Sequence, residues 1–367
     1  MSRLLIHIGF DKTGTTSIQR FLRDHQRQLS NIGLGYALSS CPVYPYLTLN
    51  HEVLTSLFSA IQVPTGTLTA FGSHDNAKLA AQRWAHAVKA LKLTRAGTLI
   101  ISSEALYSLP LRAVGELRNL SRWITNTENF EDGVKILAYV SEPASRYRRA
   151  ASQSILTGRK IPRPRDQAAR HYIEHYLQLF GRKHVEVRAY DRNMLINGNV
   201  VDDFLDVLRP RLWENAALHR VPIEENHSPS SEALLLCSVL RELGLPDTKQ
   251  FQAFVPEIIL FDRVVCGRRI ASLRADVHDY LAGSSPDYDW LQAEFGCVFG
   301  RGQERRHASG YERNRPLSML DIFQVDLDRY RHLVDYSLRR SIVFRDSRSS
   351  RVELLTETLL SAPCTLD

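Results

Sequence analysis

The sequence predicts an α/β fold organised on a central parallel sheet, and two observations predict it. Four apolar runs, Leu4–Gly9, Thr98–Ser102, Lys135–Val140 and Val185–Tyr190, are short, β-rich and bounded by turn or helix signals. That is the pattern of strands buried on both faces. Helix-like stretches alternate with them: Thr16–Leu29, Asn76–Leu91, Pro143–Leu156 and Ala168–Phe180. Alternation of this kind calls for right-handed crossovers onto one sheet.

Each element has its own justification. The first strand ends at Gly9 and gives way to a short loop and an amphipathic helix. The stretch from Gly35 to Gly72 is irregular and rich in Pro, Tyr, Ser and Thr, and reads as loop and short helix. With the helix after it, this makes an inserted region of about 36–95. After Asp202 the pattern turns helical, with Val201–Leu208, Ser230–Leu243, Ala271–Leu281 and Leu317–Leu338. Ser228-Pro229-Ser230-Ser231 supplies N-cap chemistry for one of these. A soft boundary near residue 225 separates an α/β domain, 1–225, from a mainly helical C-terminal extension, 226–367.

At 367 residues and 44% hydrophobic, the chain can bury a full core. Its net charge of +7 favours an anionic ligand. Arg301, Arg305, Arg306, Arg313, Arg315, Arg339 and Arg340 supply much of the excess, and scattered solvated arginine is the simpler reading of them. The five cysteines lie far apart without a C-x-x-C pair, and an odd number fits a reducing compartment. His171 and His175 read as one helix face, so no metal site is indicated. The first apolar run is too short for a signal segment or a membrane span, so a cytoplasmic protein is expected. No basic stretch interleaved with aromatics points to nucleic acid.

The chemistry begins at Lys12-Thr13-Gly14-Thr15-Thr16-Ser17, between the first strand and Ile18-Gln19-Arg20-Phe21-Leu22. A strand–loop–helix with Gly at the bend aims backbone N–H groups and a helix dipole at one point, which suits a phosphate-like anion. Lys12 adds a point charge and the three hydroxyl residues add donors. A Walker A loop has its Lys after the second Gly, whereas Lys12 precedes Gly14, and no Mg²⁺ ligand set is apparent.

This loop resembles the 5′-phosphosulfate loop of the PAPS-dependent sulfotransferases, P-K-[ST]-G-[ST]-[ST], with Asp11 in place of the usual Pro. The opening I-H-I-G-x-x-K-T-G-T-T-S-I-Q is particularly similar to bacterial sulfotransferase-family proteins. The resemblance covers roughly residues 1–245, weakens towards Gly300, and leaves 301–367 unexplained. It implies a P-loop NTPase-like three-layer fold and 3′-phosphoadenosine 5′-phosphosulfate (PAPS) as donor. It also implies that Lys12 stabilises the sulfuryl group in flight while Thr13, Gly14, Thr15, Thr16 and Ser17 bind the phosphosulfate.

A second strand–turn–helix, Lys135–Val140 followed by Ser141-Glu142-Pro143, resembles the family's 3′-phosphate element. There an Arg at the strand end and a Ser eight residues later hold the phosphate. Here Ser141 occupies the Arg position and Arg149 the Ser position. Either the two exchange roles and bind the phosphate jointly, or Arg146, Arg148 and Arg149 form a basic helix face and the site has decayed.

Ser102-Ser103-Glu104 stands where cytosolic sulfotransferases carry the segment with their catalytic histidine. Glu104 is therefore the first candidate base, and a partly buried carboxylate can have its pKa raised towards that task. His51, in the inserted region, is the second candidate, and His7 reads as a core histidine. The expected reaction is sulfuryl transfer from PAPS to a hydroxyl, with a carbohydrate as the expected acceptor and no metal. The alternatives are a non-catalytic nucleotide- or glycan-binding relative and, behind it, a P-loop kinase.

Overall fold

The computed structural model describes residues 3–10, 13–36, 57–58, 73–94, 97–125, 133–164, 169–215, 218, 228–242, 248–267, 269–284, 287–299 and 317–340. Among them, β1 (Arg3–Gly9), β2 (Leu34–Tyr36), β3 (Thr98–Ser103), β4 (Val134–Val140) and β5 (Val185–Ala189) form one parallel sheet in the order β2-β3-β1-β4-β5. The protein is thus α/β, and the four runs read as buried strands are all strands of this sheet.

The helices are α1 (Thr15–Asp24), α2 (Gln26–Asn31), α3 (His74–Thr94), α4 (Leu111–Thr125), α5 (Pro143–Leu156), α6 (Ala169–Phe180) and α7 (Val200–Leu208). Later in the chain come α8 (Ser231–Glu242), α9 (Thr248–Val265), α10 (Ala275–Ser284), α11 (Asp287–Phe295), α12 (Met319–Ile322) and α13 (Leu327–Arg340). A two-residue antiparallel pairing joins β6 (Ser272–Leu273) to β7 (Phe323–Gln324).

The chain divides into two compact units. The first comprises Met1–Glu142, Ala168–Ile223 and Pro286–Arg301; the second comprises Pro143–Gln167, Glu224–Ser285 and Gly302–Asp367. In the first, both sheet faces are covered. Leu4, Ile6 and Ile8 of β1 join Ile101, Ile136 and Val187 on one face, under Trp84 of α3, Val114 and Leu117 of α4, and Ile173 and Tyr176 of α6. Leu5, Ile100, Leu137 and Tyr139 face the opposite way, towards Ile18, Phe21 and Leu22 of α1 and Phe204 and Leu205 of α7. A strand covered on both faces has no polar side to alternate, hence the continuous apolar runs. Each buried Leu or Ile contributes about 1.5–3 kcal/mol to holding these layers together.

The second unit has its own core. Ala233–Cys237, Val239 and Leu240 of α8 are buried with Phe254 and Ile258 of α9, Tyr330 and Leu333 of α13, and Ala151 and Ile155 of α5. Asp262 fastens the start of α8, accepting from the Ser230 backbone N–H at 2.9 Å and from its hydroxyl at 2.5 Å. Cys237 and Cys266 are buried thiols in this unit and Cys297 is one in the first.

Several sequence expectations need correction. Leu34–Tyr36, whose last two residues fall in the stretch read as loop, is an edge strand on β3. Thr16–Leu29 is not one helix, because it breaks at His25, whose ring Nδ1 lies 3.0 Å from the Phe21 carbonyl that also accepts its backbone N–H. Leu317–Leu338 is interrupted because Phe323-Gln324 pair with Ser272-Leu273. The same pairing delays the helix expected from Ala271 until Ala275. Helices α4, α9 and α11 were not among the elements read from the sequence. Cys41, Cys364 and Arg301, Arg305, Arg306, Arg313 and Arg315 lie outside the described residues.

Candidate functional site

In the strand order, β1 is central and its flanking neighbours β3 and β4 lie on opposite sides. From β1 the chain goes first to β2 on one flank, then returns through β3 and crosses to β4. In open α/β sheets, ligands bind at the carboxyl ends of strands around such a reversal. Register brings those ends level: Ile8 pairs with Ser103 of β3 and Ala138 of β4, and Gly9 pairs with Tyr139. Thr13–Ser17, Glu104 and Ser141 therefore all follow adjacent strand ends at one edge of the first unit.

The loop has a defined form where it is described. Thr13 is fully buried, and its Oγ1 donates to the Phe10 carbonyl at 2.7 Å. Gly14 has φ +78° and is the N-cap of α1, a backbone conformation that favours glycine. A Cβ there would also lie 2.7 Å from Val200 Cγ1 and 3.0 Å from Tyr190 Cε2. Gly9 is constrained as well, because its Cβ would run into the Thr15 side chain, 2.7 Å from Cγ2. A small residue at position 9 thus lets Thr15 lie directly over the end of β1.

Helix α1 is left open at its start. Gly14 offers no side-chain cap, there is no acidic residue in the first turn, and the first intrahelical bond is Ile18 N–H to the Gly14 carbonyl at 3.1 Å. The N–H groups of Thr15, Thr16 and Ser17 therefore have no acceptor within the helix. Thr15 is buried and its Oγ1 has no hydrogen-bond partner among the described residues. Ser141 Oγ, also buried, is in the same condition. Buried hydroxyls are normally satisfied, so these two are unusual, and free helix amides beside the first make a cradle for anion oxygens.

Glu104 opens a 3-10 turn, Glu104–Leu106, whose N-cap Ser103 accepts from the Ala105 N–H at 3.2 Å. The carboxylate is exposed, not half-buried as expected, because the turn carries the chain out of the sheet directly after β3. Ser141 and Arg149 fall in different units, Ser141 at the end of β4 and Arg149, half-buried, on α5. Lys12, Asp11 and His51 lie outside the described residues.

His7 is fully buried, as read from the sequence. Burial holds its imidazole pKa down at about 3, so the ring is neutral at ordinary pH. Its Nδ1 lies 2.8 Å from Ser102 Oγ, and its ring packs edge-on against Tyr139 and Phe204. Nearby, Asp203 receives the Tyr139 hydroxyl at 2.8 Å and the Arg188 guanidinium at 2.7 Å, tying α7 to β4 and β5. Burial of the ring, and after it that carboxylate, raise the Tyr139 pKa well above the usual phenol range. His171 and His175 stand one turn apart on α6, and His175 Nδ1 is 3.0 Å from the Leu109 carbonyl.

Two groups at this edge escaped the sequence reading. Gln19 is a polar residue on the buried face of α1, and Tyr190, directly after β5, lies against Gly14. Gln19 had a visible signal, since it interrupts the apolar side formed by Ile18, Phe21 and Leu22. Tyr190 had none, because an aromatic at a strand end is ordinary packing. Among the described residues no helix is long and apolar enough to cross a membrane. Comparisons with protein-family models, curated proteins and solved structures find no match for this chain.

Proposed function

We propose that this protein is a PAPS-dependent sulfotransferase on a P-loop-type three-layer scaffold, moving a sulfuryl group to a hydroxyl acceptor, with a carbohydrate as the acceptor class. The observation that carries the reading is the start of α1. Three helix amides without intrahelical acceptors, a buried Thr15 hydroxyl with no partner among the described residues and a left-handed Gly14 meet at the end of the central strand. With Lys12 preceding Gly14, this frame suits a phosphosulfate better than a Mg²⁺-bound triphosphate. The carbohydrate preference rests on family likeness and the net charge of +7.

In this reading the acceptor oxygen attacks sulfur as the bond from sulfur to the bridging phosphate oxygen breaks. Glu104, or His51, takes the acceptor proton. The leaving adenosine 3′,5′-bisphosphate gains negative charge at its 5′-phosphate, where Lys12 and the amides of Thr15–Ser17 hold it. Preorganised donors of this kind lower the barrier because they need no reorientation as charge develops. Ser141, at the end of β4 in the same unit as the loop, is the candidate for the 3′-phosphate.

Titration calorimetry tests the reading. Adenosine 3′,5′-bisphosphate should bind without added metal, and Lys12→Ala should weaken it at least about ten-fold, the effect of one charge-assisted contact of about 1.5–3 kcal/mol. Tight binding of ATP with Mg²⁺ and none of the bisphosphate would sink it. A non-catalytic relative is the second reading, favoured by Ser141 standing where the family has Arg. Bisphosphate binding with no sulfuryl release from PAPS to any glycan would support that one.

A further inference from the structure

Gln19 sits on α1 between the open amide end and the apolar face that packs on the sheet, and is 5% exposed. Its Nε2 donates to Ser102 Oγ at 3.2 Å and lies 3.4 Å from the Ser102 carbonyl. Ser102 is fully buried, and its hydroxyl is also 2.8 Å from His7 Nδ1. Two residues beyond Ser102 stands Glu104. One side chain of the loop-bearing helix thus grips the strand end that launches the candidate base, on the far side of β1 from β4.

The apolar alternatives around Gln19 show what an ordinary residue would do. Ile18, Phe21 and Leu22 fill the same face without reaching a polar partner. A buried amide here costs desolvation and gains little stability over an apolar side chain of its size. What it adds is direction: a bond from α1 to β3 that persists only while both elements hold their mutual setting.

We propose that Gln19 is a positioning residue that couples anion binding at the start of α1 to the setting of the Ser102-Ser103-Glu104 segment. The inference rests on the sulfotransferase reading, in which donor and base must be set together. When an anion occupies the Thr15–Ser17 amides, α1 is fixed, and through Gln19 so is Ser102. The turn over Glu104–Leu106 then opens less often. Phe10, which precedes the loop, also packs on Tyr107 just after that turn, so a part of the coupling is apolar and survives loss of the amide.

Amide exchange measured over residues 103–107, with and without adenosine 3′,5′-bisphosphate, separates this role from a merely structural one. The relevant amides are those of Ala105, bonded to Ser103 Oγ, and Tyr107, bonded to the Glu104 carbonyl at 3.1 Å. In the unaltered protein the nucleotide should slow their exchange. In Gln19→Met, which keeps the shape and removes the donor, that nucleotide-dependent slowing should shrink about five-fold, the worth of one neutral hydrogen bond. Bisphosphate affinity should stay within about three-fold, since the anion-binding amides are untouched. Ser102→Ala should repeat the loss, and Ser102→Thr, which keeps the hydroxyl, should restore it. A full nucleotide effect in both Gln19→Met and Ser102→Ala overturns the inference while leaving the reading intact. No bisphosphate binding by the unaltered protein overturns the reading, and the inference with it.

Discussion

Acidification offers a sharp test of the sheet interior through His7. The imidazole titrates at about 3 in the fold and near 6.5 when unfolded, because burial excludes the charged form. The unfolded chain therefore takes up a proton below pH 6.5 that the native protein takes up only near pH 3. A depressed histidine of this kind costs stability as pH falls, progressively between those two values. From pH 7 to pH 5 the loss from this one side chain is about 2 kcal/mol, and by pH 4 about 3 kcal/mol. The four tryptophans, Trp84, Trp123, Trp213 and Trp290, all belong to the first unit, so their fluorescence follows its unfolding in urea. His7→Leu removes the titrating group and keeps an apolar side chain between Tyr139 and Phe204. The gap in unfolding free energy between the unaltered protein and His7→Leu should change by about 2 kcal/mol between pH 7 and pH 5. Carboxylates contribute equally to both proteins and cancel. Parallel stability curves over that range would refute the placement of a neutral, dry imidazole beneath the loop.

Other consequences are open to measurement. Gly14→Ala forces a left-handed non-glycine residue and presses on Val200, and should lower first-unit stability by about 2 kcal/mol, read by the same fluorescence. Asp203→Asn removes the buried carboxylate that accepts from Tyr139 and Arg188 and leaves Arg188 only its partly exposed partner Glu186, and should lower the unfolding free energy of that unit by about 2 kcal/mol, read from its urea transition.

How much of this was legible follows from what each element leans on. The strands of β1, β3, β4 and β5 could be read because being buried on both faces leaves an uninterrupted apolar run. β2 could not, since three residues at an edge carry too little pattern. The register of Phe323-Gln324 with Ser272-Leu273 depends on partners about 50 residues apart, which no local period encodes. Pro256 lies inside α9, where local rules argue against a helix, and the buried face of Phe254, Ile258 and Phe261 overrides them. At the site, the strand–loop–helix frame follows from chain order, but the burial of Thr13 and Thr15 does not, because it depends on how the loop folds back over the end of β1. Exposure of Glu104 does not, because it depends on how the turn leaves the sheet. The Gln19–Ser102 contact joins residues 83 apart and shows in the sequence only as a misplaced polar side chain.

The interleaving of the two units bears on how the protein is made. All five strands of the parallel sheet have left the ribosome once Ala189 has, yet Leu291 and Cys297, buried in the same core, come about 100 residues later. At about 5–20 residues per second the sheet waits roughly 5–20 s for its last covering helix, α11. During that interval the surface of β5 destined for Leu291 and Cys297 is bare, and Cys297 cannot yet reach the Val187 carbonyl it lies 3.5 Å from in the finished fold. A nascent chain stalled between residues 225 and 285 should therefore be held by chaperones. A version cut near residue 225 would expose that strand for good, so the α/β unit is not a separable piece of the chain even though its sheet is complete long before.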